Sequence, residues 1–178
     1  MNIKGEKIIL RAIEQRDCQL LLELINDQET EYMLGGWSFP VSYQMQLDWI
    51  SKLGKDIHTL RCILESIDDK IALGTIILSE IDYKNGNAEV QIKIANNGVR
   101  GKGYGYDAIS TIVKYAFSEL RLNCIYARVS SHNEASNNLF IKCGFIEEGI
   151  LRKRIYKAGK FIDVVILSIL KEEAPKCI

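Results

Sequence analysis

Proline is scarce in this chain, with Pro40 and Pro175 the only two in 178 residues. No Ser/Gly-rich linker, repeat or low-complexity stretch divides it either, so the sequence predicts one domain over residues 1–178. Charge of one sign is not in excess: 23 basic and 23 acidic side chains cancel. That balance removes the whole-molecule field that would draw a protein to nucleic acid or to an anionic membrane. No apolar run approaches the ~18 residues a membrane span needs. The opening MNIKGEKIILRAI has no signal-type apolar segment, so the cytoplasm is the expected compartment. The five cysteines, Cys18, Cys62, Cys124, Cys143 and Cys177, are odd in number and never at C-x-x-C spacing. A disulfide framework and a metal site are therefore not expected. A cysteine nucleophile would need His58 or His132 as its base, and nothing in the sequence ties either to a thiol.

What is present is the composition of a globular protein with a core, 47% hydrophobic and 26% charged. Lys7–Ile13 reads as a strand, followed by a helix over Asp17–Asn26 and a polar helical turn over Gln28–Leu34. Ser42 can cap a further helix reaching about Leu53, with Met45, Trp49 and Ile50 facing inward. His58–Ile67 and Ile71–Ile81 read as antiparallel strands joined by Asp68-Asp69-Lys70. Asn85-Gly86-Asn87 is a hairpin signal into a strand over Ala88–Ala95. There Ala88, Val90, Ile92 and Ile94 point one way, and Glu89, Gln91 and Lys93 the other.

Tyr104–Leu120 carries the strongest helical period, with Ile109, Ile112, Val113, Ala116, Phe117 and Leu120 on one face. A strand over Cys124–Ser130 follows. A helix over Glu134–Cys143 then runs from Asn133 as N-cap to Gly144 as its stop. Phe145–Tyr156 and Phe161–Leu170 form a closing hairpin. This order predicts an α/β domain with a mixed sheet, not a doubly wound parallel one.

The chemistry concentrates in Val99-Arg100-Gly101-Lys102-Gly103-Tyr104-Gly105-Tyr106, between a strand and the strongest helix. Glycines let successive amides turn inward as an anion nest, the helix N-terminus adds partial positive charge, and Arg100 and Lys102 add full charges. The loop should hold a phosphate or pyrophosphate. It is not a P-loop, because no Gly-Lys precedes Ser or Thr at the required spacing. It is not the dinucleotide fingerprint either, since its glycines run G-x-G-x-G after antiparallel strands. Its plain alternative is a glycine-softened helix start with solvated basic residues.

Arg100-Gly101-Lys102-Gly103-Tyr104-Gly105 resembles the Q/R-x-x-G-x-G/A loop of the GNAT superfamily of acetyl-CoA N-acetyltransferases. Three further segments are similar to its ribosomal-protein-alanine N-acetyltransferase branch, with likeness also to spermidine N-acetyltransferase. They are Lys7-Ile8-Ile9-Leu10-Arg11; Asn133-Glu134-Ala135-Ser136 with Phe140 to Phe145; and Glu148 to Arg152 with Gly159 to Asp163. The likeness runs from about Glu6 to Lys171. It implies the GNAT fold, a mixed and mostly antiparallel central sheet splayed between its fourth and fifth strands and flanked by helices. It also implies acetyl-CoA as cosubstrate, with pantetheine against the backbone of Ile92, Lys93 and Ile94 and pyrophosphate on the amides from Arg100 to Gly105 and beside Tyr106. Asn133 is expected to cap its helix, with a pantetheine contact as the further reading.

The resemblance further implies transfer of acetyl to a primary amine of a small molecule or a protein N-terminus, by direct attack in a ternary complex. Two proton transfers need carriers, one from the amine and one to the departing thiolate. Glu89 is the candidate base; its alternative is an ion-paired surface glutamate, with Lys93 on the same face. Many relatives carry a tyrosine acid four residues beyond the Ser136 position, where this chain has Phe140. Ser136 is then the candidate acid, against the alternative of an ordinary first-turn helix serine. The usual proline after the cofactor strand is missing, and Asn96-Asn97-Gly98 makes that loop one residue longer than is common. Tyr32, Trp37, Phe39, Tyr43, Asp27, Glu29 and Glu31 fall where the fold builds its acceptor wall. A homodimer is allowed. A CoA-binding module without turnover is the reading of a different class. A nucleotide-binding oxidoreductase is opposed by the glycine spacing and the order of elements.

Overall fold

The computed structural model describes residues 1–35, 38–95 and 101–174. Among them a single eight-stranded sheet runs in the order β1-β2-β3-β4-β5-β6-β8-β7. Its strands are β1 (Ile3–Lys4), β2 (Ile8–Arg11), β3 (Leu60–Ser66), β4 (Ala72–Asp82), β5 (Asn87–Ile94), β6 (Cys124–Ser130), β7 (Ile146–Lys157) and β8 (Lys160–Leu170). The helices are α1 (Cys18–Asn26), α2 (Gln28–Leu34), α3 (Tyr43–Ser51), α4 (Tyr104–Ser118) and α5 (Glu134–Lys142). The short β1 was not expected, so the strands expected as fourth and fifth are β5 and β6.

Among the described residues those two form the one parallel pair, and only over Asn87↔Cys124, Ala88↔Ile125 and Glu89↔Tyr126. Beyond Glu89 they diverge. Meanwhile β5 stays paired to β4 as far as Gly74↔Ile94, and β6 stays paired to β8 as far as Ser130↔Val164. Each arm of the resulting V is held by its outer neighbour, so the gap stays open without collapse of either strand.

The side chains follow the expected alternation. Ala88 and Val90 are buried in the main core with Ile109, Ile112, Val113 and Ala116 of α4, and Ile92 and Ile94 pack against its edge. A smaller cluster of Cys18, Leu21, Ile50 and Ile63 lies under α1 and α3 on the other face. Met45 and Trp49, expected to face inward, are exposed at 50% and 40%. Helix α3 buries only the stripe through Gln46 and Ile50, and these two residues lie off it.

Local signals give the helix starts. Ser42 Oγ accepts from the Met45 amide, and Asn133 Oδ1 accepts from the Ser136 amide. Each satisfies one of the donors that a first turn leaves unpaired. The opening strand is locked twice. Arg11 makes a two-pronged pair with buried Asp17, at 2.8 and 2.7 Å, and a further pair with Glu65. Asp107 of α4 accepts from the amides of Glu6, Lys7 and Ile8. Among the described residues no helix is long and apolar enough to cross a membrane.

Candidate active site

The glycine loop enters α4 directly. Gly101 and Gly103 take left-handed φ values of 82° and 87°, and Gly103 is the helix N-cap. A side chain at either position would be strained, whereas glycine takes this turn without a Cβ penalty. Gly105 has a different reason. A Cβ there would lie 3.0 Å from Leu139 of α5 and 3.2 Å from Ile94 of β5, in the wall of a cleft. Lys7 donates from Nζ to the Lys102 carbonyl, 3.1 Å, which ties the loop to the residue just before β2. Arg100 lies outside the described residues, as do Trp37 and Asn96-Asn97-Gly98.

The cleft is a cavity of about 380 Å³ lined by Ile92, Ile94, Gly101, Gly103, Tyr104, Gly105, Tyr106, Asn133, Ser136 and Lys142. It brings Gly101, Gly103, Tyr104, Gly105 and Tyr106 of the expected loop to the open side of β5, whereas Lys102 is exposed and outside the lining. The Ala95 amide donates to Leu73 of β4. Because backbone groups alternate along a strand, Lys93 also turns its amide to β4, while Ile92 and Ile94 turn theirs into the gap. Lys93 is thus separated from Ile92 and Ile94: its backbone faces away from the V, and its side chain serves another wall. Lys142, not anticipated, lies 5.6 Å above the Tyr106 ring and supplies a cation at the loop end of the cleft. Only its distance from the glycine loop in the chain hides it.

A second cavity of about 610 Å³ opens on the other side of the V. Glu89, Gln91, Lys93, Arg128, Arg154 and Phe140 are among its walls, and it shares Met33, Leu34, Ile92, Asn133 and Ser136 with the first. The two cavities therefore meet at the start of α5. Ser136 stands at that junction, half-buried, with its amide capped by Asn133. Asn133 spends its amide group on protein, capping α5 and donating at 3.3 Å to the Met33 carbonyl. This fastens α2 across the opening.

Glu89 is 2% exposed. It is ion-paired, but the partner is Arg128 and not Lys93: Arg128 donates to both carboxylate oxygens, from Nε at 2.9 Å and from a terminal nitrogen at 2.5 Å, and Gln91 donates at 3.1 Å. The Glu89 bonds, then its charge and that of Glu80, outweigh burial and hold the Arg128 guanidinium well above its ordinary value. A carboxylate offers about four lone-pair directions, so three donors leave one for a ligand. Phe140 is buried, in edge contact with Phe145 at 5.0 Å between ring centres.

The expected acceptor wall divides. Glu31 pairs with Lys157 of β7 and accepts from Ser38. Asp27 caps α2 at Thr30, and Glu29 lines the cleft beside the glycine loop. Tyr32 meets the His132 ring at a 52° tilt with centres 4.7 Å apart, while Phe39 and Tyr43 are exposed. Burial raises the Cys62 and Cys143 thiols to about 11 and about 12, which leaves neither poised as a nucleophile. Among the described residues no cluster of His, Cys, Asp and Glu could hold a metal ion.

This splayed sheet with a glycine nest at one arm is the architecture of an acetyltransferase, and residues 7–146 match the model described as "Acetyltransferase (GNAT) domain". The chain belongs to that family. It is 32% identical over 173 residues to the uncharacterized N-acetyltransferase YoaA of Bacillus subtilis, covering 95% of this chain and 96% of that protein. It is 33% identical over 178 residues to the putative ribosomal N-acetyltransferase YdaF of the same organism, covering 95% and 94%. The crystal structure of spermidine N-acetyltransferase from Vibrio cholerae, in complex with CoA and spermine, superposes with a TM-score of 0.85 at 30% identity. That match covers 95% of this chain and 98% of the other.

Proposed function

We propose that residues 1–178 act as one N-acetyltransferase domain, moving acetyl from acetyl-CoA to a primary amine of a small molecule or a protein N-terminus. The observation that carries this reading is the meeting of two cavities at the V, one on the glycine nest and one on a buried carboxylate. The first fits a pantetheine arm and its phosphates. Amides at Ile92 and Ile94 border it, the left-handed glycines Gly101 and Gly103 turn amides inward, and Lys142 adds positive charge. Acetyl-CoA supplies the activated acyl group there.

In this reading both substrates are bound together and the amine attacks directly. A C–N bond forms and a C–S bond breaks. One proton leaves the amine, for which Glu89 offers its remaining lone pair, directly or through a water. One proton reaches the thiolate sulfur through the Ser136 hydroxyl at the junction, which gives up its proton as it takes one from water, while the proton on Glu89 returns to solvent. The gap-facing amides of β5 are the donors for charge developing on the carbonyl oxygen. The cytoplasm suits a protein whose cysteines Cys18, Cys62, Cys124 and Cys143 are all free.

A second reading, a CoA-binding module with little turnover, draws on Phe140, which has no proton to give. Release of free thiol from acetyl-CoA, measured across a panel of amines and N-terminal peptides, separates the two. Turnover with any acceptor supports the enzyme, whereas tight binding of acetyl-CoA with no acceptor turned over favours the module.

A further inference from the structure

The charges around the acceptor-side cavity are not those of a polyamine site. Its walls carry three cationic side chains, Lys93, Arg128 and Arg154, and one carboxylate, Glu89. Glu89 is already engaged by Arg128 through both oxygens. Arg128 also reaches Glu80, which lies outside the cavity lining with its side chain 57% exposed. Of the α2 carboxylates, Glu31 is closed into its pair with Lys157, and Glu29 lines the glycine-loop cavity instead. Lys93 and Arg154 make no ion pair with any described residue. Burial pushes the Lys93 ammonium below its ordinary value, as expected of a cation that lacks a counter-charge.

Arg154 reaches this wall through a built feature of the backbone. The β7–β8 register shifts between Leu151 and Ile155, so the segment Arg152-Lys153-Arg154 bulges from the ladder. Lys153 has a left-handed φ of 49°, and its amide donates to Asp163 Oδ1 of β8 at 2.7 Å. Bulges of this kind re-aim side chains at the edge of a site. Here the bulge brings Arg154 into the cavity wall with Leu151 and Ile155.

We propose that the acceptor is a small amine that also carries an anionic group, a carboxylate or a phosphate, held by Arg154 and Lys93 while its amine end faces Glu89. This rests on the acetyltransferase reading above and narrows its substrate class. A guanidinium suits either anion through paired N–H donors, and an ammonium adds a point charge. A polyamine would instead bring further positive charge to two cations without partners.

The test compares thiol release from acetyl-CoA with four acceptors: β-alanine, phosphoethanolamine, ethanolamine and spermidine. The expected result is a kcat/KM at least about tenfold higher for β-alanine or phosphoethanolamine than for ethanolamine or spermidine. Which of the two is faster tells carboxylate from phosphate. Arg154→Glu should abolish that preference through KM, and Arg154→Lys should restore part of it. The exposed position of Arg154 keeps both variants folded. Turnover of ethanolamine or spermidine equal to that of the anionic amines, or a preference unmoved by Arg154→Glu, overturns the proposal while leaving the acetyltransferase reading intact. No acetyl-CoA binding by calorimetry and no thiol release with any acceptor would overturn both.

Discussion

Arg128 stands two residues beyond Tyr126, the last residue of β6 paired to β5, and reaches back across the opening V to grip both oxygens of Glu89. The pair bridges the two arms of the sheet where backbone pairing stops, so it fixes the mouth of the gap and gives a buried carboxylate its cation. Arg128→Ala would leave Glu89 buried without its cation. A loss of about 1–3 kcal/mol is expected, less than for a fully buried pair because the Arg128 side chain is 42% exposed. Denaturant unfolding of the two proteins measures it. An unchanged midpoint would mean the pair does not hold the V.

Glu89→Gln keeps the shape and removes the charge. If Glu89 takes the amine proton, activity should fall most at low pH and recover as the acceptor deprotonates unaided. Parallel pH–rate curves for variant and wild type would deny it that role.

Ser136 and Phe140 separate proton transfer from packing. Ser136→Ala should lower kcat, by up to ~10²–10⁴-fold, with acetyl-CoA affinity near normal. The fall is smaller if the thiolate, of pKa about 8.5, departs without help. Phe140→Leu should keep most turnover and cost about 1–2 kcal/mol, since it thins the contact with Phe145. Steady-state kinetics beside thermal melts distinguishes the two. Full activity in Ser136→Ala would return that serine to the helix cap.

The legible features were those written in short stretches of chain. Ser42 and Asn133 announce their helices because an N-cap needs only the next three residues. Gly101 and Gly103 mark the turn into α4 because glycine takes a positive φ without a Cβ penalty, and both take it. Glu89 was legible as a residue off the apolar face of β5, but neither its burial nor its partner was. Both depend on β6 lying parallel at one register, which brings Arg128 within reach. Arg154 was hidden for a similar reason: its direction is set by a bulge that Asp163 stabilises from the next strand. Met45 and Trp49 misled because helical period alone does not say how wide a stripe the neighbours cover.

Strong acid should loosen the opening strand. Burial pushes the Asp17 carboxyl up, but bonds and charge from Arg11 with the Glu14 amide outweigh it and hold the pKa below the ordinary carboxylate value. A depressed carboxyl contributes stability that is whole above its unfolded value of ~3.9 and is lost as pH falls through the folded one. Asp17→Asn should therefore cost about 2–4 kcal/mol at pH 7 and flatten the acid limb of a melting-temperature profile. An acid limb as steep as wild type's would place the titrating group elsewhere.

We propose that the glycine turn at the start of α4 holds acetyl-CoA, and calorimetric titration of acetyl-CoA into the protein decides it. Wild type should bind acetyl-CoA with one site per chain. Gly103→Leu, which puts a side chain at a φ of 87° beside Lys7 Nζ, should weaken that binding at least tenfold, about 1.4 kcal/mol. Circular dichroism should show the variant still folded. No binding by wild type, or equal affinity in a folded Gly103→Leu protein, would contradict the account.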